Sequence, residues 1–402
     1  MSGEVADPKT RVAVVTAGTT LIAYCAIILT TMTGNTNVSL KPILIGSYVE
    51  FLHAAPSLAG FVLTAEASAT SVATALAAIF IARFNRRHMV LAGAAIIIAG
   101  NLLSLLVMDH LVLLGGARAL AGAGHGIAFA VGAASIAASH QPDRLAGVMT
   151  VSITVLSMGL MLLITTTQGV FGIAPLFWIM GGFALTPLLF LSALPEAAPA
   201  SLSIPARAER KPQAQFLGIT LTAIGFFYVS VGTFYPFAEQ LGRAAGLSYA
   251  DASKILALAG LGSLFGAFLA IGLGDRAGRL LPIGLSIALA MVSLCVLLLF
   301  PDDSLVFSGV VITYMFAWAT LYPFLLGFTS QLDPSGRVNG FVFSLSLIGF
   351  AVGPAIASSV IAIGAPAGSS NWDNLVWVSM LCLLPSFALL HVIRKVASKR
   401  SQ

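Results

Sequence analysis

The sequence predicts an all-α integral membrane protein of twelve transmembrane helices, and three observations carry that prediction. The 402 residues are 58% hydrophobic and 9% charged, whereas a soluble domain carries about 25% charged residues. Apolar runs of about 20 residues, enough to cross a bilayer as a helix, recur from end to end; a barrel would show short alternating segments. Lys and Arg gather in alternate loops, the bias that sets membrane orientation. Three cysteines, Cys25, Cys295 and Cys382, fall inside apolar runs and form neither a metal spacing nor a disulfide framework. No metal and no other cofactor is expected. The net charge of +5 comes from loops, so no nucleic-acid partner is expected.

The first span runs from Val12 to Val38 and continues, broken, past Pro42 to Leu52. The acidic start from Met1 to Asp7 predicts no cleavable signal ahead of it. Pro56–Ala82 forms the second span, closed by a tight basic turn at Arg83, Arg86 and Arg87. Met89–Met108, Leu111–Ser139, Leu145–Gln168 and Phe171–Leu194 follow. From Pro195 to Gln215 hydrophobicity drops and four prolines appear, the mark of a linker. Six more runs complete the chain: Phe216–Leu241, Ala250–Leu273, Leu280–Phe300, Leu305–Gln331, Val338–Ile363 and Leu375–Val396. With both termini in the cytoplasm, Lys41, Arg243 and Lys254 fall outside and Arg118 within the membrane; the other sixteen of the 20 Lys and Arg fall inside.

Two pseudo-symmetric six-helix bundles, residues 1–194 and 216–402, are thus joined by an inner linker at 195–215. The basic loop after Ala82 is echoed in the second half by the loop Asp275-Arg276-Ala277-Gly278-Arg279. Internal repeats of this kind point to rocking bundles with a central cavity between them, near the midplane.

Arg118, Gly122, Gly124, His125 and Gly126 stand in one apolar run. A charge at a helix centre in the membrane costs roughly +2.5 to +3.5 kcal/mol on the lenient insertion scale, so it faces a partner or a watery cavity. The glycines let a neighbouring helix or a substrate come close. Glu66 enters the second span by about ten residues, ~15 Å, and Arg118 the fourth span by about seven, ~10 Å, from the same side. At those depths long side chains meet. Glu66 is the candidate proton carrier, switching Arg118 between pairing and anion binding. His125, seven residues after Arg118, shares its face at ~700° of rotation and titrates near physiological pH.

Pro236 breaks the seventh span among aromatic residues, which suits an outer gate. Tyr228 in the same span is a cavity candidate. Tyr314, Trp318 and Tyr322 line one helix face of the tenth span, facing either the cavity or packed apolar surface. Glu239 and Gln168 are expected at the outer surface. Asp275, Arg276 and Arg279 read as gate residues, whereas Arg83, Arg86 and Arg87 read first as topology determinants meeting anionic lipid heads and second as gate residues.

Three motifs resemble those of the major facilitator superfamily, over essentially the whole chain. Gly274-Asp275-Arg276-Ala277-Gly278-Arg279 is similar to the family's inner-loop signature, with a degraded copy at Arg83, Arg86 and Arg87, where Ala82 replaces the Asp. Arg118 with Gly122 and Gly124 resembles the fourth-span motif. Gly349, Gly353 and Pro354 resemble the Gly-Pro motif that family exporters carry in the fifth span, but here it stands in the eleventh. The resemblance implies a monomeric secondary transporter in the cytoplasmic membrane, with Arg118 coupling proton movement to transport. It also implies a first span lining the cavity, with Asn35 as a substrate hydrogen-bond donor, and Gly353 and Pro354 in gating.

No nucleotide-binding loop is present, so coupling to ions or protons is expected, with a small-molecule substrate, protons and membrane lipids as the partners. Symport of an organic anion, such as a monocarboxylate or aromatic acid, is the leading reading. Proton-coupled export of a hydrophobic compound is the alternative, and a lipid-handling or sensor protein on the same scaffold the second. No span carries the residue sets of an intramembrane enzyme.

Overall fold

The computed structural model describes residues 21–81, 83–139, 142–194, 214–274, 276, 278–332, 337–365 and 370–398. No strand occurs among them. The first half contains α1 (Leu21–Ser39), α2 (Lys41–Leu52), α3 (Pro56–Phe80), α4 (Arg86–Val107), α5 (Leu111–Ala137), α6 (Pro142–Phe171) and α7 (Ala174–Phe183), the last extended by 3-10 turns over Thr186–Ala193. The second half contains α8 (Ala214–Phe234), a 3-10 turn at Tyr235–Phe237, α9 (Ala238–Ala244), α10 (Tyr249–Leu273), α11 (Leu280–Leu299), α12 (Ser304–Leu332), α13 (Arg337–Val360) and α14 (Trp372–Ser398). Among the described residues ten helices are long and apolar enough to cross a membrane. Taking α1 with α2, α7 with its 3-10 extension and α8 with α9, the elements form twelve segments in the expected order. Most of the expected linker, residues 195–213, lies outside the described residues.

Local chemistry sets the ends. The Asn85 side chain accepts from Arg87 N (2.8 Å) at the start of α4, and Ser248 Oγ accepts from Asp251 N (3.1 Å) at the start of α10. Both give an acceptor to one of the first N–H groups, which have no partner inside the helix. Gly274, at φ 49°, stops α10 in a conformation that a side chain disfavours. Two prolines break the helices that begin the halves. Pro42 separates α1 from α2 and Pro236 separates α8 from α9; each lacks an N–H for the ladder. These are equivalent positions in the two halves.

Helix contacts repeat in the same way. In the first half α5 packs on α3 and α4; in the second α12 packs on α10 and α11. The halves meet along α3 with α13 and along α6 with α10, again equivalent pairs, and through α2 with α9. Lipid-facing surfaces carry bare apolar side chains such as Leu106, Val112 and Leu305, each at least 80% exposed.

The glycines of α5 act as the sequence suggests. A Cβ on Gly122 would lie 2.3 Å from the Glu66 carbonyl oxygen, so only glycine allows α3 this close. Gly353 plays the same part in the second half, where a Cβ would lie 2.2 Å from the Gly232 carbonyl carbon of α8. Gly353 therefore stands in a seam inside the second half. Gly122→Val forces α3 from α5 and is expected to cost roughly 1–3 kcal/mol or more. Gly116→Val is expected to be near neutral, since a Cβ there meets nothing within 4 Å. Thermal unfolding of the purified variants checks the contrast.

Candidate functional site

Arg118 and Glu66 meet. Arg118 Nε donates to Glu66 Oε2 (3.1 Å) and Arg118 Nη2 to Glu66 Oε1 (2.5 Å), with side chains 0% and 1% exposed. Arg118 Nη1 donates to Asn101 Oδ1 on α4 (2.8 Å), and the guanidinium lies over the Phe177 ring of α7 at 5.9 Å. Asn101 is held in turn by Ile97 O (2.8 Å). The planar guanidinium thus spends its fork on one carboxylate and one amide. Four helices of the first half, α3, α4, α5 and α7, converge on this pair.

Asn37 of α1 also reaches α3. Its Nδ2 donates to Thr70 Oγ1 (2.8 Å), and that hydroxyl donates to Glu66 O (2.8 Å). Asn35 does not join the cluster; its Nδ2 donates to Ser39 Oγ (3.1 Å) within the same helix. His125 Nδ1 pairs with Thr33 O (2.7 Å), while its Nε2 is buried without a partner. Thus His125 joins α5 to α1 and keeps one nitrogen free.

Lys41 departs from expectation. The orientation rule put it outside, yet it is 1% exposed. Its Nζ donates to Phe350 O of α13 (2.8 Å) and lies 4.6 Å from the Phe350 ring centre. Around that ring stand Tyr228 (6.1 Å) and Trp318 (5.9 Å), and Tyr235 packs on Trp318 (6.2 Å). Tyr228 is buried with its hydroxyl unpartnered. Trp318 and the half-buried Tyr322 stay near this cluster, whereas Tyr314 packs deeper, on Phe234 (4.7 Å).

At the end of the bundle that carries α2 and α9, polar groups bridge the halves. Tyr249 Oη donates to Gln168 Oε1 (2.6 Å) and shares a bond with Ser47 Oγ (3.0 Å). Gln168 Nε2 donates to the same Ser47 oxygen (2.9 Å), and Tyr235 Oη donates to Ser39 O (2.7 Å). Arg243 pairs with Glu50 (2.9 Å) across the same junction. Gln168 and Glu239, expected at the surface, are 1% and 0% exposed. They are buried because the halves close over the helix ends. The break at Pro236 seats α9 on α2, where an outer gate was expected.

The opposite end carries the basic loops. Arg83 and Arg276 are exposed. Arg87 donates to Leu194 O (3.0 Å) and Ser192 O, tying the loop to the end of the sixth span. Arg279 lies against Gly327 of α12, where a Cβ would be 2.8 Å from its Nη1. These contacts hold each loop to its own half. Arg86, expected among lipid heads, is instead 1% exposed, with Nε and Nη2 unpartnered. Asp275 and Ala82 lie outside the described residues.

Lys41, Asn101, Gln168 and Tyr249 are the residues that sequence reasoning missed as site members. A lone Asn in the third apolar run was a readable signal. Lys41 beside Pro42 was a readable one too, because a helix that continues past a proline carries its side chains inward or outward according to the bend.

Twelve helical segments in two bridged halves, with a charge pair buried in one of them, define a helical integral membrane protein. The chain belongs to the Major Facilitator Superfamily, whose sequence pattern it matches over residues 20–354. It is a transporter rather than an enzyme. A D-xylose-proton symporter structure is similar at TM-score 0.65 and 15% identity, over 92% of this chain and 96% of that one. The nucleoside transporter NupG, in a mutant form, gives 0.73 and 12%, over 93% and 99%. The xylose transporter XylE from E. coli, in a partially occluded inward-open conformation, gives 0.65 and 15%, over 92% and 96%. No curated protein matches the chain.

Removing one partner of a buried pair leaves the other charge uncompensated, at a cost of about 3–5 kcal/mol. Arg118→Met alone is expected to destabilise the purified protein by that order. The double variant Arg118→Met with Glu66→Met is expected to recover most of the loss. Thermal unfolding of the three proteins in one detergent reads the difference.

Proposed function

We propose that the protein is a proton-coupled symporter of a small organic anion, working by alternating access in the cytoplasmic membrane with both termini inside. The observation that carries this reading is the buried Arg118–Glu66 pair. When Glu66 takes a proton, Arg118 loses its counter-charge and the positive potential of the site rises, so an anion binds more tightly. When Glu66 releases the proton it reclaims Arg118, and the anion leaves. Proton and anion affinities are thereby linked, each raising the other.

Local charge supports an anion over a cation. Lys41 and Arg118 are buried with Glu66, while the other buried carboxylate, Glu239, lies at the α2/α9 end with Gln240. The halves, residues 1–194 and 216–402, rock about this level. The α2/α9 end faces outward, and its bridges from Tyr249, Gln168 and Arg243 part when that side opens. One structure of similar fold is that of a proton symporter.

The test is proton flux in proteoliposomes with an internal pH dye, using a panel of monocarboxylates and lipophilic cations. A monocarboxylate is expected to drive proton entry in the wild type, with Arg118→Ala and Glu66→Gln each abolishing coupled flux. Proton movement driven only by cations, opposite in direction to them, would replace this reading with export.

A further inference from the structure

We infer that Lys41 is the anchor for the substrate's carboxylate, and that the substrate is a monocarboxylate with an apolar, preferably aromatic, body. The inference rests on the anion reading above and narrows it.

Lys41 is a buried cation without a carboxylate of its own among the described residues. The Glu66 carboxylate is held in both oxygens by Arg118. An ammonium has three donors. One is spent on Phe350 O, and the ring face of the same residue gives a weak electrostatic contact. At membrane depth an ammonium so poorly matched is a functional-site hypothesis by default. A structural strut would be better served by a neutral side chain, since a buried charge rarely repays its desolvation.

Position favours Lys41 over Arg118 as the docking group. Arg118 is enclosed within the first half by Glu66, Asn101 and Phe177. Lys41 stands at the junction of the halves, at the break between α1 and α2, and its one bond crosses to α13. Depth also fits. Phe350 lies ten residues inside the end of α13 and Glu66 ten inside the start of α3, so each is roughly 15 Å from the same side. An ammonium with one donor on Phe350 O has two left for a single carboxylate. The Phe350 ring lies against the ammonium, Tyr228 and Trp318 pack on that ring and Tyr235 packs on Trp318, so an aromatic cluster adjoins the site, and the Tyr228 hydroxyl has no partner.

A carboxylate on Lys41 takes the place of Phe350 O. That exchange releases a bond between the halves at the base of α2, the helix whose far end carries Ser47 and Glu50 to α10 and α9. Substrate binding is thereby transmitted to the bridged end.

The experiment is ligand-dependent thermal unfolding of the purified full chain with acetate, lactate, benzoate, phthalate and the neutral benzamide. Benzoate is expected to raise the wild-type Tm with concentration, above acetate, lactate and phthalate, and benzamide to leave it unchanged. Lys41→Met is expected to lose benzoate affinity by roughly 30-fold or more, while Lys41→Arg retains a reduced response. Glu66→Gln is expected to keep the benzoate response while losing coupled proton flux. Should Lys41→Met not fold, Lys41→Gln takes its place. A Lys41→Met or Lys41→Gln protein matching wild type overturns the Lys41 assignment and leaves the symport reading standing, whereas a Glu66→Gln protein that no longer responds overturns the symport reading. A wild type that responds to no monocarboxylate in the panel overturns both.

Discussion

A carboxylate and a guanidinium removed from water must find each other or be removed from the sequence. That constraint on Glu66 and Arg118 organises the first half. Four helices supply the pair and its immediate partners. Gly122 and Gly126 of α5 stand where α3 presses against it, and Gly124 where α4 does. Asn101 takes the guanidinium donor that Glu66 cannot, and the Asn37–Thr70 chain fixes α1 to the carboxylate's own helix turn. A buried pair of this kind contributes little to stability beyond what apolar packing would give. In the proposed symport its value lies in having two charge states.

The second constraint is backbone. Pro42 and Pro236 interrupt the first helix of each half at equivalent places, and the short helices beyond them, α2 and α9, lean together. The break leaves Lys41 facing the junction. Bridges from Tyr249, Gln168, Tyr235 and Arg243 are individually modest. Several acting across one junction can hold it shut, and each can be lost without breaking a helix. Charge pair and distal bridges are connected through packed helices, since α2 packs on α3, which carries Glu66, and carries Ser47 and Glu50 into the bridges.

Much of this was legible in the chain. Counting residues from the span ends placed Glu66 and Arg118 at similar depth, and helix rise then predicted their meeting. Small residues in α5 predicted close neighbours. The twelve segments and the echo between halves followed from apolar run length and basic loops. What stayed hidden was facing. Hydropathy counts depth along a helix, but whether Lys41, Gln168 or Glu239 looks to water or to the other half depends on how two bundles close, which no single run records. Asn35 and Asn37 are equally polar, yet only Asn37 sits on the turn that meets Thr70. Arg86 and Arg87 are neighbours in one basic cluster, and helix geometry sends one inward and the other to the 3-10 turns.

The central claim is that Glu66 changes protonation instead of serving as a fixed strut for Arg118. Infrared difference spectroscopy of the reconstituted protein between two pH values reads this directly. The account predicts a protonated-carboxyl band that grows as pH falls, reverses on return, and is missing from Glu66→Gln. A spectrum in which wild type and Glu66→Gln are identical across that range would contradict it, and would make the pair a structural joint of the first half.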